Sequence, residues 1–225
     1  MERIDFLVDI IISGELYDEK YVVDYNDHYR YFKTQIKKNK KLLLFLLPYI
    51  WTWDDENLDE IKHIIKSNYG SDLGFFKEAL IHDDEDGSCL LLAECNVCEN
   101  KEILLLAVSA AKNHNRIGNT VNIFGSDSLK KDQEFLSEVL KIYPREFEEI
   151  GQYVKLKNTV NNVLNEDGTL LEFALDEFKK DNEVIEVAVR NNLSAIQFVP
   201  LELKSNPESP FFEEWFRFNN GNVNY

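Results

Sequence analysis

Little in these 225 residues points to chemistry, and the scarcities set the first bounds. Three cysteines, an odd number, argue against a disulfide framework and for a reducing compartment. Nine glycines and five prolines are too few for a low-complexity linker, so a continuous body is expected rather than two domains on a tether. The apolar run Leu42 to Trp51 is about half the length needed to span a bilayer. Met1 leads into Glu2 and Asp5, and Asp9 interrupts the run Phe6 to Ile12, which is not the pattern of a signal peptide. A cytoplasmic protein is expected. There is no phosphate-binding glycine loop, no Gly-x-Ser-x-Gly and no paired Cys/His nucleophile motif. The four histidines have no recognisable partners, so no enzyme and no catalytic residue is expected.

Metal and cofactor sites are not expected either. Cys95-x2-Cys98 has ligand spacing, and Cys89, His82 and His114 lie nearby, but no second Cys-x2-Cys and no His-x3-His completes a zinc set. His82-Asp83-Asp84-Glu85-Asp86-Gly87 invites a calcium reading that its spacing rejects. With Gly87 as the sixth loop residue, His82 stands first and Ala93 twelfth, where carboxylates are required. Glu166-Asp167-Gly168 fails in the same way, and Asp-Gly is better read at both places as a turn before a helix.

The chain does have a core, a charge and a recurring pattern. Hydrophobic residues make up 44%, enough for a packed interior. Net charge is −16; residues 1–50 hold eight Asp/Glu and eight Lys/Arg, so the whole excess lies in 51–225. Such a surface repels phosphate and anionic lipid and attracts basic proteins, although acidity also serves solubility alone.

The pattern is clearest from Glu166 to Asn206. Val184, Ile185, Ala188 and Val189 share one helix face, and Asp181 is placed to cap that helix. Twelve residues after Val184 a second apolar run opens, Ile196-Gln197-Phe198-Val199, and Pro200 stops it. Phe135 is followed twelve residues on by Phe147, with Ile150 beyond it. Ile61 is followed by Leu73, with Phe75 and Phe76 then standing for Phe198 and Val199. An ungapped match at an offset of 81 lays Glu85 to Ile103 over Glu166 to Val184, with Cys89 over the core position Leu170. Each copy is a helix pair that cannot bury its apolar face alone, so neighbours must stack.

Asp181-x-Glu183-Val184-Ile185-x-x-Ala188-Val189-x-x-Asn192-x-x-Ala195-Ile196-Gln197-Phe198, closing on Leu203-Lys204-x-Asn206, resembles the short helical repeat catalogued as domain of unknown function 4116. The resemblance covers about residues 170–206, and Leu193 departs from it where that family has glycine. It implies a helical repeat and carries no activity.

The expected fold is therefore all-α: a solenoid-like, helical-repeat stack of helix pairs with N-terminal helices and a C-terminal cap. Its parts are an N-terminal helical region 1–53, degenerate repeats 54–206 and a cap 207–225, together forming one continuous unit. Ile4 to Ile12 reads as a first helix, and Tyr21, Tyr25, Tyr29 and Tyr31 or Phe32 as a packing face, with an aromatic binding face as the alternative. Lys37-Lys38-x-Lys40-Lys41 reads as a solvated helix start, its charge absorbed by nearby acids. The polar stretch 113–128 interrupts the repeat, carrying His114, Arg116 and Asn119 without a partner carboxylate. Phe211 to Phe218 reads as a helix covering the last repeat, with a docking tail as the alternative.

For function, the sequence favours a non-enzymatic acidic module that binds and neutralises a basic protein. A toxin immunity protein, an antitoxin or a phage inhibitor of a defence nuclease would have this character. A passive repeat scaffold or an effector-type interaction domain is the alternative. Candidate contact residues are Trp51 and Trp53 beside Asp54, Asp55 and Glu56, the cluster Asp83, Asp84, Glu85 and Asp86, and Trp215.

Overall fold

A five-part rule builds most of the helices. Asp or Asn stands immediately before the first turn, and the third, fourth, seventh and eighth helical residues are apolar. The computed structural model describes residues 39–47, 56–82, 88–113 and 120–221, and every regular element among them is helical. The chain divides into two compact units, Met1–Val97 and Cys98–Tyr225, a division that falls inside the 54–206 stretch.

In the first unit, α1 (Lys40–Leu46) starts on Asn39, whose side chain accepts from Leu42 N at 3.2 Å. The longer α2 (Glu56–Tyr69) buries Ile64 and Ile65. Next, α3 (Leu73–His82) starts on Asp72, which accepts from Phe75 N at 3.0 Å, and buries Phe75, Phe76, Ala79 and Leu80. A 3-10 helix, Ser88–Leu92, then covers α2 and α3 with Cys89 and Leu90. Lys40 reaches Glu78 at 3.1 Å, so at least one of the basic-cluster lysines is matched within the chain. The register differs here from the expected one. Leu73 opens a new capped helix, and Phe75 and Phe76 correspond to Val184 and Ile185, not to the second element of a pair.

The second unit repeats the rule along the chain. First helices are α4 (Lys101–Asn113), α6 (Gln133–Ile142), α7 (Lys157–Glu166) and α8 (Asn182–Asn191), while α5 (Thr120–Phe124) follows α4. Asn100, Asp132 and Asp181 cap α4, α6 and α8, accepting from Ile103, Phe135 and Val184 N at 3.1, 3.1 and 3.4 Å. Leu156 precedes α7 and offers no such acceptor. Each carboxylate or amide satisfies a backbone donor that the first turn leaves free, an effect of about 1 kcal/mol. The buried sets are Ile103, Leu104, Ala107 and Val108; Phe135, Leu136, Val139 and Leu140; Thr159, Val160, Val163 and Leu164; and Val184, Ile185 and Ala188.

Neighbouring first helices pack in chain order, α4 on α6, α6 on α7 and α7 on α8. The second elements do the same. Phe147–Ile150 packs on the 3-10 helix Gly168–Phe173, and that on the 3-10 helix Leu193–Phe198. The offset of 81 is preserved in structure, since Ser88–Leu92 and Gly168–Phe173 are both 3-10 helices, with Cys89 and Leu170 both buried. After Pro200 comes a single turn, Leu201–Lys204. The chain then turns back, and α9 (Phe212–Gly221) lies against the Leu193–Phe198 helix.

Candidate functional site

Most expected contact residues lie outside the described residues: Trp51, Trp53, Asp54, Asp55, Asp83, Asp84, Glu85 and Asp86. So do the first helix, the tyrosine stretch and most of the polar insert. Glu56 is the first residue of α2. Trp215 is described, and its ring faces the protein. Lys204 Nζ sits 4.2 Å from the ring centroid, and Phe218 stacks alongside Trp215 at 6.1 Å. Lys204 is 8% exposed and donates to the carbonyls of Gln197 (2.7 Å) and Ile196 (3.4 Å). Burial pushes its pKa down, and the carbonyls and the ring face hold the ammonium.

Two other lysines are engaged within the chain nearer its surface. Lys101, the first residue of α4, pairs with Asp132, the cap of α6, at 2.6 Å. Lys157, the first residue of α7, pairs with Asp181, the cap of α8, at 2.8 Å and with Glu183 at 2.5 Å. Hydrogen bonds from these lysines hold both aspartates below the usual carboxylate range, and the aspartates raise both lysines. One step along each of α4, α6 and α8 stand Glu102, Glu134 and Glu183, all exposed. Acids therefore dominate the helix starts, and the lysines there are already engaged.

Glu146 is a carboxylate that sequence reasoning missed. It is fully buried and accepts from the N–H groups of Thr120 (3.0 Å) and Val121 (3.3 Å), closing the start of α5. Desolvation raises its pKa, partly opposed by those hydrogen bonds.

A groove of about 610 Å³ opens between α8, the Leu193–Phe198 helix and α9. Val189, Leu193 and Phe211 give it apolar walls, and Glu186, Arg190, Glu214 and Arg217 give it charge. Arg190 is held by Glu186 one turn away on α8. Glu214 differs: its Oε2 is buried and no donor reaches it. The cysteines show no such convergence. Cys89 is buried, Cys95 exposed and Cys98 half-buried, and among the described residues no group of three His, Cys, Asp or Glu gathers. Among the same residues, no helix is long and apolar enough to cross a membrane.

Residues 157–204 match the family model described as domain of unknown function (DUF4116). The matched segment takes in α7, α8 and their 3-10 partners and closes on Lys204. No curated protein and no solved structure matches the chain.

Proposed function

We propose that the protein is a non-enzymatic acidic binding module that captures and neutralises a basic protein partner, in the manner of an immunity protein, an antitoxin or an inhibitor of a defence nuclease. The observation that carries this reading is the disposition of charge. A chain of net charge −16 ties Lys40, Lys101, Lys157 and Lys204 into internal contacts, while Glu102 and Glu134 stand exposed on helices packed against one another. An acidic field of that kind imitates nucleic-acid phosphate, speeds encounter with a basic surface and occludes it once bound. Residues 51–97 are the densest part, with twelve Asp/Glu against three Lys, and they include both acidic clusters singled out in the sequence.

The test is affinity capture on the immobilised chain, comparing wild type with a variant whose two clusters, 54–56 and 83–86, are changed to Asn and Gln. The reading requires one basic protein retained in comparable molar amount, released by raised salt and lost by the variant. Retention of neutral or acidic proteins only, or equal retention by the variant, overturns it.

A further inference from the structure

We infer that the outer face of α9 is a self-association surface, and that its occupant is α9 of a second copy of this chain, paired antiparallel about a two-fold axis. This goes beyond the capture of a basic protein and does not depend on it. Phe211, Phe212, Trp215 and Phe216 repeat the spacing of the buried sets in the first helices, so α9 carries the apolar pattern of the helices that pack in series. The last member of that set is buried in α4, α6 and α7, as Val108, Leu140 and Leu164. In α9 it is Phe216, which is 58% exposed. The inner side of α9 is already occupied, since Phe211 is buried and Trp215 packs under the Lys204 ammonium. Leu201, on the turn that packs against α9, is 63% exposed. The last helix of a stack needs a polar outer side to stay in water alone, and this one presents a phenylalanine there.

The charges beside Phe216 select the occupant. Glu213 and Arg217 are both exposed, and among the described residues no ion pair joins them. Arg217 opposes a basic surface and Glu213 an acidic one, whereas a face with one charge of each sign complements itself, as a two-fold interface requires. With a rise of about 1.5 Å per residue, an axis crossing α9 at the level of Trp215 sets Glu213 opposite the partner's Arg217, twice. The same axis brings the two Phe216 rings to about 3 Å apart along the helices. The remaining acids of the chain are screened beyond about 8 Å at physiological salt, so these near groups decide.

The experiment is sedimentation equilibrium of the full chain at physiological salt, over a wide range of protein concentration. A reversible monomer–dimer equilibrium is expected, weak because two helix faces bury less than a standard interface. F216E should weaken association about tenfold or more and leave the melting temperature of dilute protein unchanged, since the ring is exposed. E213R and R217E should each weaken it too, because each sets like charges opposite one another. The double exchange E213R/R217E should restore it, a rescue that neither a structural role nor unspecific adhesion of Phe216 produces. A chain that stays monomeric throughout overturns the inference. So does an oligomer larger than a dimer, a dimer indifferent to F216E, or a double exchange no better than the single ones.

Discussion

The stretch from Lys157 to Lys204, which holds two successive copies, and the copy from Lys101 to Lys131 use the same kind of first helix and differ in how the second element is secured. In the former, α7 and α8 are tied by short polar links. Lys157 joins Asp181 and Glu183, and Asn191 bridges two groups of the preceding copy, accepting from Gly168 N and donating to Asn165 O, both at 2.7 Å. In the latter, α4 runs to thirteen residues and the second element is displaced to α5, whose first N–H groups are met by Glu146. Glu146 belongs to the following copy and is fully buried. The start of this second element is thus closed by a carboxylate from the neighbouring copy, and the desolvation of that carboxylate is the energetic consequence.

The strongest way to break the regular copy is at Gly168. A Cβ built there would stand 2.2 Å from the backbone oxygen of Ala188, so G168V must push α8 off the Gly168–Phe173 helix. A loss of about 3 kcal/mol is expected from denaturant unfolding. Gly74 in α3 is the contrast. Its added Cβ meets only the Asp72 carboxylate, at 3.2 Å, and the Lys40 ammonium, at 3.8 Å, so G74A should be neutral or stabilising by up to about 1 kcal/mol. Equal losses for the two would mean that close approach of the copies does not matter.

Glu146 sharpens the irregular side of the comparison. E146A leaves the Thr120 and Val121 N–H groups without their acceptor and should cost about 1–3 kcal/mol at neutral pH. The pH dependence gives a more specific signature. Its folded pKa is raised, so the folded state holds the proton more tightly than the unfolded chain does. Between the ordinary glutamate value and the raised one, lowering the pH therefore favours folding. Wild type should gain on E146Q as pH falls through the raised value, and the gain should level off below the ordinary range. A flat difference, or one of opposite slope, would show Glu146 to be solvated.

A smaller effect concerns the end of the matched segment. Lys204 closes it, yet its ammonium is held by Trp215, which lies beyond it on α9. W215A should remove about 2 kcal/mol, most of it absent when Lys204 is already methionine. Strict additivity in that double-mutant cycle would mean the two side chains stabilise independently.

What could be read from the sequence were the contacts that a helix makes with itself. Asp181 before Val184 and Ile185 announces a cap and a buried face with no knowledge of neighbours, and the 81-residue offset paired two stretches that fold alike, although their 3-10 geometry was not part of that reading. Contacts between copies were not legible in this way. The Phe75-Phe76 register was misassigned because α2 ends shortly before Leu73, and a twelve-residue spacing there arises by coincidence. Glu146 follows Pro144-Arg145 and looks like ordinary surface, since nothing local reveals that the start of α5 lies against it. The groove exists only because α9 folds back against the Leu193–Phe198 helix, a consequence of the turn at Pro207 to Pro210. Trp215 resembled an interface anchor because its partner, Lys204, is a residue type expected in water. One overlooked signal was available: Lys101 and Lys157 each open a helix whose successor is capped by aspartate.

That signal gives the smallest expected effect and the sharpest difference from Glu146. Lys157 is about one-third exposed, so its pairing with Asp181 and Glu183 is partly screened by water and should contribute little to stability in ordinary buffer. K157Q should lower the melting temperature slightly, and the difference from wild type should shrink as salt is raised. The pH sign is opposite to that of Glu146. Asp181 is depressed by its hydrogen bond from Lys157, so the pair's contribution is present above the ordinary aspartate range and is lost as pH falls through the depressed value. Lys157 is raised by the same contact, so the contribution is also lost on the alkaline side, as pH climbs through its elevated value. The melting difference between K157Q and wild type should therefore have a plateau at middle pH and fall away at both ends. A difference that persists unchanged in high salt and in acid would mean that Lys157 acts through the packing of its methylene stem, and the lysine-to-cap link would then be geometry without electrostatic consequence.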